Sequence, residues 1–296
     1  MKKKDFTEDI IYQWEKVWSN QNIQHVLESC EKDTFLRPYF FKYLSKDGVI
    51  LEAGCGLGQW VVYLSRLGYN IIGIEIVPNC VKVCKTYFHD VDIRIGDVRN
   101  LPFPDKYFDG YISLGVIEHM IEGPESTLQE MKRVLKPNGI AIITVPAYNY
   151  FLKIWYPLRK FIVEIFRKNK FFRKILGKPK LLYDKFEGYK KLIDIKKRLK
   201  PRLWPIIGID PVKGPIFLEY RYEKGYLEHI LKSFGFKIIE SVPIYHPFIF
   251  QDIFGNLFFK NNLQLNIFGK IIEKIFNKIS PHFFNFYYLY VVKTIK

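Results

Sequence analysis

Between residues 48 and 146, short apolar runs alternate with stretches whose apolar positions recur every three or four residues. That alternation predicts strands and helices of a parallel α/β sheet. Val49-Ile50-Leu51-Glu52-Ala53-Gly54 reads as a buried strand ending in glycine, and Trp60 to Leu67 as an apolar-faced helix closed by Gly68. Asn70 to Glu75 is the second strand, and Pro78 suits the first turn of the following helix. Val91 to Asp97 alternates as a third strand, Phe108 to Leu114 makes a fourth, and Pro124 to Leu135 a helix. Asn138-Gly139 then marks a turn before a fifth strand, Gly139 to Val145.

The pattern breaks after residue 146. Phe151, Trp155, Leu158, Ile162, Ile165 and Phe166 fall on one helical face, with Lys153, Lys160, Arg167 and Lys168 largely outside it. Leu182 to Leu199 is a second helix of similar character. Past Pro215 the α/β pattern resumes, with a helix from Glu223 to Ser233, Gly235, a strand from Phe236 to Glu240, and a last strand from Phe286 to Lys293. The expected organisation is one domain with an insertion. It has an N-terminal helical cap (1–47), a core (48–146), a basic helical insertion (147–215) and the rest of the core (216–296).

Charge sharpens that division. The chain carries 46 Lys and Arg against 30 Asp and Glu, a net +16. Residues 1–146 hold 17 basic and 19 acidic side chains, residues 147–215 hold 19 and 5, and residues 216–296 hold 10 and 6. A genome-wide compositional bias would not leave the first half acidic, so the basic cluster needs a local explanation. Aromatic residues at 17% of the chain exclude wholesale disorder. The most apolar stretch, Ser241 to Phe250, is too short to span a bilayer. The opening Met1-Lys2-Lys3-Lys4-Asp5 turns acidic at once, so no secretory segment is expected. Cys30, Cys55, Cys80 and Cys84 form no CxxC pair and read as reduced thiols of a cytoplasmic protein.

Candidate chemistry collects at successive strand ends. Glu52-Ala53-Gly54-Cys55-Gly56-Leu57-Gly58 lies where a strand meets a helix, where glycines allow close backbone approach and free amides favour polar groups. The dinucleotide pattern GxGxxG, counted from Gly54, fails at Gln59. Glu52, ahead of the glycines, fits a ligand with a positive amine. Glu75 at the end of the second strand suits two ribose hydroxyls, and Asp97 at the end of the third suits the exocyclic amine of an adenine. Either carboxylate alone could be a solvated strand end; three in register on the sheet's carboxyl edge point to one ligand.

These residues resemble the class I S-adenosylmethionine-dependent methyltransferases, of the type 11/12 and quinone-biosynthesis branch. The likeness runs through Val49 to Gly58, Gly73-Ile74-Glu75, Gly96-Asp97-Val98 with Leu101-Pro102-Phe103, Phe108-Asp109, Val116-Ile117-Glu118-His119 and Leu135-Lys136-Pro137-Asn138-Gly139. More loosely, Tyr220-Arg221-Tyr222 through Gly235-Phe236 resembles the family's later helix and strand. The resemblance implies a Rossmann-like, seven-stranded, mostly parallel sheet with helices on both faces, its final strand antiparallel, here carrying a basic, aromatic helical insertion. It implies S-adenosyl-L-methionine as cofactor. Glu52, Ala53, Gly54, Gly56 and Gly58 would hold its methionine end, Glu75 and Ile76 its ribose, and Asp97 and Val98 its adenine, while Leu114 and Gly115 would line the methyl side. Asp109 would be structural.

The resemblance also places His119 near the methyl, as candidate general base or as a packing histidine. Glu118-His119 is similar to the metal-binding Glu-x-x-Glu-His of some relatives, but Gly115 stands at the first glutamate position, so no metal is expected. Tyr12, Trp14 and Trp18 form a lid or simply pack; His246 reads as a loop residue or an acceptor contact.

The expected activity is in-line methyl transfer to a small-molecule or lipid-linked acceptor, at a hydroxyl or carbon. The basic insertion has three readings: an anionic membrane surface for a peripheral enzyme, a nucleic-acid track with aromatics stacking on bases, or a solvated cap over the substrate pocket. The membrane reading leads, because the aromatics keep helical spacing; it makes the protein cytoplasmic, peripheral on the membrane. An RNA-directed methyltransferase and a non-catalytic cofactor-binding partner protein are the alternatives.

Overall fold

A computed structural model describes residues 7–168, 186–245, 255–260 and 264–295. Three helices come first: α1 (Thr7–Trp18), α2 (Ile23–Lys32) and α3 (Leu36–Tyr43). The side chain of Asn22 starts α2 by accepting the amides of Gln24 and His25, two of the donors a helix start leaves open. The sheet then builds through β1 (Val49–Ala53), α4 (Gln59–Arg66), β2 (Asn70–Glu75), α5 (Pro78–Tyr87), β3 (Asp92–Ile95), β4 (Phe108–Leu114), α6 (Glu125–Val134) and β5 (Leu135–Pro146). After these come α7 (Tyr150–Lys168), α8 (Phe186–Arg198), β6 (Trp204–Asp210), β7 (Gly214–Arg221), α9 (Lys224–Ser233), β8 (Phe236–Tyr245), α10 (Ile267–Ile279) and β9 (Asn285–Thr294).

Seven strands form one Rossmann-like sheet in the order β3-β2-β1-β4-β5-β9-β8, with helices between all its successive strands but β3 and β4, as the apolar pattern predicts. β1–β2, β2–β3, β1–β4 and β4–β5 all pair in parallel. Ile50, Leu51, Ile74, Ile93, Tyr111, Ile112, Ile142 and Ile143 are fully buried along these strands, as a sheet covered on both faces requires. The chain leaves β1 toward β2 and β3 on one side and returns through β4 and β5 on the other. The crevice at such a switch point, beyond the carboxyl ends of β1 and β4, is where an open α/β sheet binds ligands. Asp109 accepts the Val49 amide (2.9 Å) and the Lys136 ammonium (2.7 Å), a structural tie from β4 to the starts of β1 and β5.

The chain divides into two compact units. The first comprises residues 1–145, 225–242 and 289–296, the second residues 146–224 and 243–288. Within the second, the basic stretch is not helical throughout: β6 and β7 pair antiparallel, a hairpin the sequence pattern left unread because its apolar positions do not alternate. On α7, Phe151 and Trp155 pack with Leu152, Leu265 and Phe284 as expected, but Leu158 is exposed, as are Ile154 and Phe161. The side chains of Ile162, Ile165 and Phe166, and all of His246, lie outside the described residues.

Candidate active site

The glycine loop after β1 turns the chain into α4 through three left-handed glycines, with φ of 79° at Gly54, 56° at Gly56 and 75° at Gly58. A side chain at Gly54 would bring its Cβ within 2.6 Å of Val116 Cγ2, so strain and space both demand glycine there. The loop amides are already engaged. Gly54 and Cys55 donate to the Ile74 carbonyl (2.8 and 3.0 Å), and Gly58 donates to the Cys55 carbonyl at 2.8 Å. Gly56 donates to Glu75 Oε2 at 2.8 Å. Four amides of the loop are thus spent within the fold, while its glycines still allow close approach.

Glu75, at the end of β2, also accepts the Val77 amide on Oε1 at 3.0 Å and is 5% exposed. Its carboxylate keeps acceptor capacity for a ligand hydroxyl. Burial pushes its carboxyl above the ordinary range, against the pull of the backbone amides. Glu52, one strand over, is 2% exposed, and its Oε2 has no hydrogen-bond partner. Burial first, then the charge of Glu75, raises it well above the usual carboxylate range. The Cys55 thiol is pushed up by burial as well, so it stays protonated and is no nucleophile.

A cleft of about 590 Å3, open solvent at its mouth included, runs along these strand ends. Of the expected cofactor residues, Gly54, Glu75, Ile76, Asp97, Val98, Leu114 and Gly115 line it, and so does His119. Glu52, Ala53, Gly56 and Gly58 do not. At Gly56 the reason is Trp18: a Cβ there would overlap its indole ring, so α1 covers the loop from outside. Trp14 and Trp18 line the cleft with Ile10, whereas Tyr12 does not.

Arg99, Val116 and Met120 also line the cleft and were missed in the sequence. Each lies within two residues of a predicted one, which was the available signal. Arg99 changes the reading of Asp97, because its Nε reaches both carboxylate oxygens at 3.0 Å and its guanidinium holds Thr7 Oγ1 at 2.8 Å. Asp97 is thus a paired carboxylate tethering the start of α1, and an incoming amine would share it. His119 closes a short 3-10 turn (Ile117–His119), with the Trp14 ring edge-on at 4.8 Å and Glu118 Oε1 at 3.9 Å from Nε2.

Comparison with known proteins agrees with this geometry. Residues 51–143 match the methyltransferase domain family. The chain is 30% identical over 175 residues to the demethylmenaquinone methyltransferase of Staphylococcus saprophyticus, covering 55% of this chain and 70% of that one. The chain belongs to the class I S-adenosylmethionine-dependent methyltransferases. A second relative, the tRNA (carboxymethyluridine(34)-5-O)-methyltransferase of Arabidopsis thaliana, is 33% identical over 135 residues, 42% of this chain and 31% of the plant protein. An S-adenosylmethionine-dependent methyltransferase structure from Methanosarcina mazei shares the fold at TM-score 0.55 and 16% identity, over 87% of this chain and 97% of that one.

The methyltransferase's cofactor is S-adenosylmethionine, and the residues present suit it. It carries a cationic amine and a sulfonium but no phosphate, matching a cleft lined by the Glu75 and Asp97 carboxylates, with Glu52 buried behind it and four loop amides already engaged. The unpartnered Glu52 Oε2 is a buried acceptor awaiting a donor, and such an atom is costly unless a ligand or water satisfies it. Trp14 and Trp18 add ring faces of the kind that attract cations.

Proposed function

We propose that this methyltransferase methylates a small, lipid-like acceptor at a hydroxyl or carbon. The observation that carries the proposal is the lining of the cleft beyond Leu114 and Gly115. There Ile10, Trp14, Val116 and Met120 are apolar, and His119 stands among them. Such a wall suits an apolar ring better than a charged or sugar-rich acceptor. The name of the staphylococcal relative, a demethylmenaquinone methyltransferase, supports the same class.

Bound S-adenosylmethionine supplies a methyl group already activated by its sulfonium. Glu75 and Ile76 would hold the ribose, and Asp97 and Val98 the adenine. Glu52 would face the amine through the loop of Ala53, Gly54, Gly56 and Gly58. Leu114 and Gly115 would flank the methyl side and leave the in-line approach open. His119 would take the proton from an acceptor hydroxyl, with Trp14 packed edge-on against the ring. Ile10, Trp14 and Trp18 would exclude water, the competing nucleophile.

Methyl transfer to demethylated hydroquinones, followed by mass spectrometry, tests the reading. His119→Ala is expected to lower kcat about 100-fold or more while cofactor affinity holds. Turnover within twofold of wild type would remove His119 as the base. The second reading, an RNA acceptor, draws on the basic composition of residues 147–215; methylation of RNA without any of a hydroquinone would replace the first.

A further inference from the structure

The whole net charge of the protein lies in one compact unit. Residues 1–145, 225–242 and 289–296 hold 21 basic and 21 acidic side chains, whereas residues 146–224 and 243–288 hold 25 and 9. The second unit also presents its large apolar residues in rows. On α10, Ile267, Phe268, Ile271, Ile275 and Ile279 are 50–71% exposed. At 3.6 residues per turn they fill an arc of about 120°. Exposed Lys270, Lys274 and Lys278 run along one border of that arc, and Glu273 is the helix's only acid. The other side of α10 is anchored. Ile272 and Phe276 pack into the cluster around Leu152 and Phe284, and Gly269 is buried, its missing side chain leaving room for the Phe258 carbonyl. The helix is therefore held from beneath and cannot rotate to hide its outer row.

α7 repeats the arrangement over the same cluster. Phe151, Leu152 and Trp155 face inward, while Ile154, Leu158 and Phe161 are 46–64% exposed at i, i+4 and i+7. A monomer seldom leaves such rows to water. Among the described residues no helix is long and apolar enough to cross a membrane. Anchored apolar rows beside lysines are the chemistry of a helix lying in the headgroup region of an anionic bilayer.

We infer that α10, with the outer row of α7, is a docking surface for anionic lipid bilayers. The inference deepens the proposal of a lipid-like acceptor and rests on it for its purpose, though not for its geometry. It makes α10, more than fifty residues beyond the basic stretch 147–215, the leading docking element.

Sedimentation of the full chain with phosphatidylglycerol-containing and pure phosphatidylcholine vesicles tests this. Wild type is expected to bind the anionic vesicles and to be released by high salt. Each lysine should account for roughly a fivefold change in partition, so joint reversal of Lys270, Lys274 and Lys278 to Glu should lose more than 100-fold. Ile271→Ser with Ile275→Ser should release the protein too, with unchanged thermal midpoint and cofactor binding, since both residues point outward. Failure of wild type to bind, or binding that the serine pair leaves intact, overturns the inference. So does a dimer in solution that the serine pair dissolves, which would make the row a contact between two copies. Calorimetric binding of S-adenosylmethionine and turnover on the same samples keep the two proposals apart. A protein that turns over its acceptor but ignores vesicles loses only the surface; one that binds vesicles but methylates nothing loses only the reaction.

Discussion

The two compact units solve opposite problems with similar material. In the first, charges balance and exposed large apolar residues such as Tyr87, Ile95 and Ile295 stand scattered. Its unusual groups are inside: Glu52 and Glu75, buried carboxylates on neighbouring strands. In the second, positive charge dominates, and the unusual groups are outside, in the apolar rows of α7 and α10. Burying an anion costs stability unless something positive or donating meets it, and exposing an apolar row costs stability unless something apolar covers it. Each unit therefore carries a cost that binding would relieve; on the proposals above, a cationic small molecule does so for one and an anionic surface for the other.

The largest blow to that contrast would come from Glu75→Ala. It strips the acceptor from the Gly56 and Val77 amides, leaving two donors at about 1–3 kcal/mol each. Calorimetry should record at least a 100-fold loss of S-adenosylmethionine affinity, while anionic vesicles bind the variant as they bind wild type. Loss of both would mean that the units do not act separately.

Phe276→Ala reverses the experiment. Truncating a partly buried aromatic in the second unit's cluster should cost about 2–3 kcal/mol in denaturant unfolding. Cofactor affinity should stay within twofold.

Glu52→Gln tests the buried charge itself. Burial raises both Glu52 and Glu75, so the folded protein keeps protons there that the unfolded chain releases. Stability therefore falls as pH rises from the ordinary carboxylate range toward those raised values. Relative to wild type, the variant should gain about 2–4 °C in thermal midpoint at pH 8, a gain that vanishes near pH 4. It should also bind S-adenosylmethionine about tenfold more weakly, roughly 1.4 kcal/mol. A variant less stable at pH 8 would show Glu52 to be compensated within the fold.

The smallest effect compares two isoleucines of similar exposure, Ile95 at 58% and Ile275 at 53%. Ile95→Ser should leave vesicle partition within twofold, because an isolated apolar residue on a surface is ordinary. If it matched Ile275→Ser in a single-site comparison, general hydrophobicity rather than the α10 row would govern binding.

Much of the first unit was legible residue by residue. A buried strand that ends in glycines leaves few conformations open, so Gly54 and the strand ends bearing Glu75 and Asp97 could be located from local chemistry alone. Asp109 was expected to be structural only through the family resemblance, and its bonds to Val49 and Lys136 agree. The engagement of the loop amides was not legible, because Gly54 and Cys55, whose amides reach the Ile74 carbonyl, lie far from it in the chain. Arg99 also escaped notice as the partner of Asp97. Its competition for that carboxylate depends on a side-chain geometry that a two-residue spacing permits without requiring.

In the second unit, periodicity identified α7 as amphipathic but misassigned part of it. Helical spacing defines which residues share a face; it cannot say which of two apolar faces meets the core. Phe151 and Trp155 went inward, and Leu158 was left outside with Ile154 and Phe161.

The sequence by itself determined the parallel sheet, the positions of the strand-end carboxylates and the concentration of charge, because local periodicity, turn chemistry and composition decide these; the methyltransferase family followed from the resemblance of its motifs. The tertiary structure alone decided that Trp18 covers Gly56, that Trp14 meets His119, that Glu52 lacks a partner for one oxygen, and which row of α10 faces water. Those facts depend on groups far apart in the chain arriving at one place, and packing rather than local propensity selects which surfaces meet.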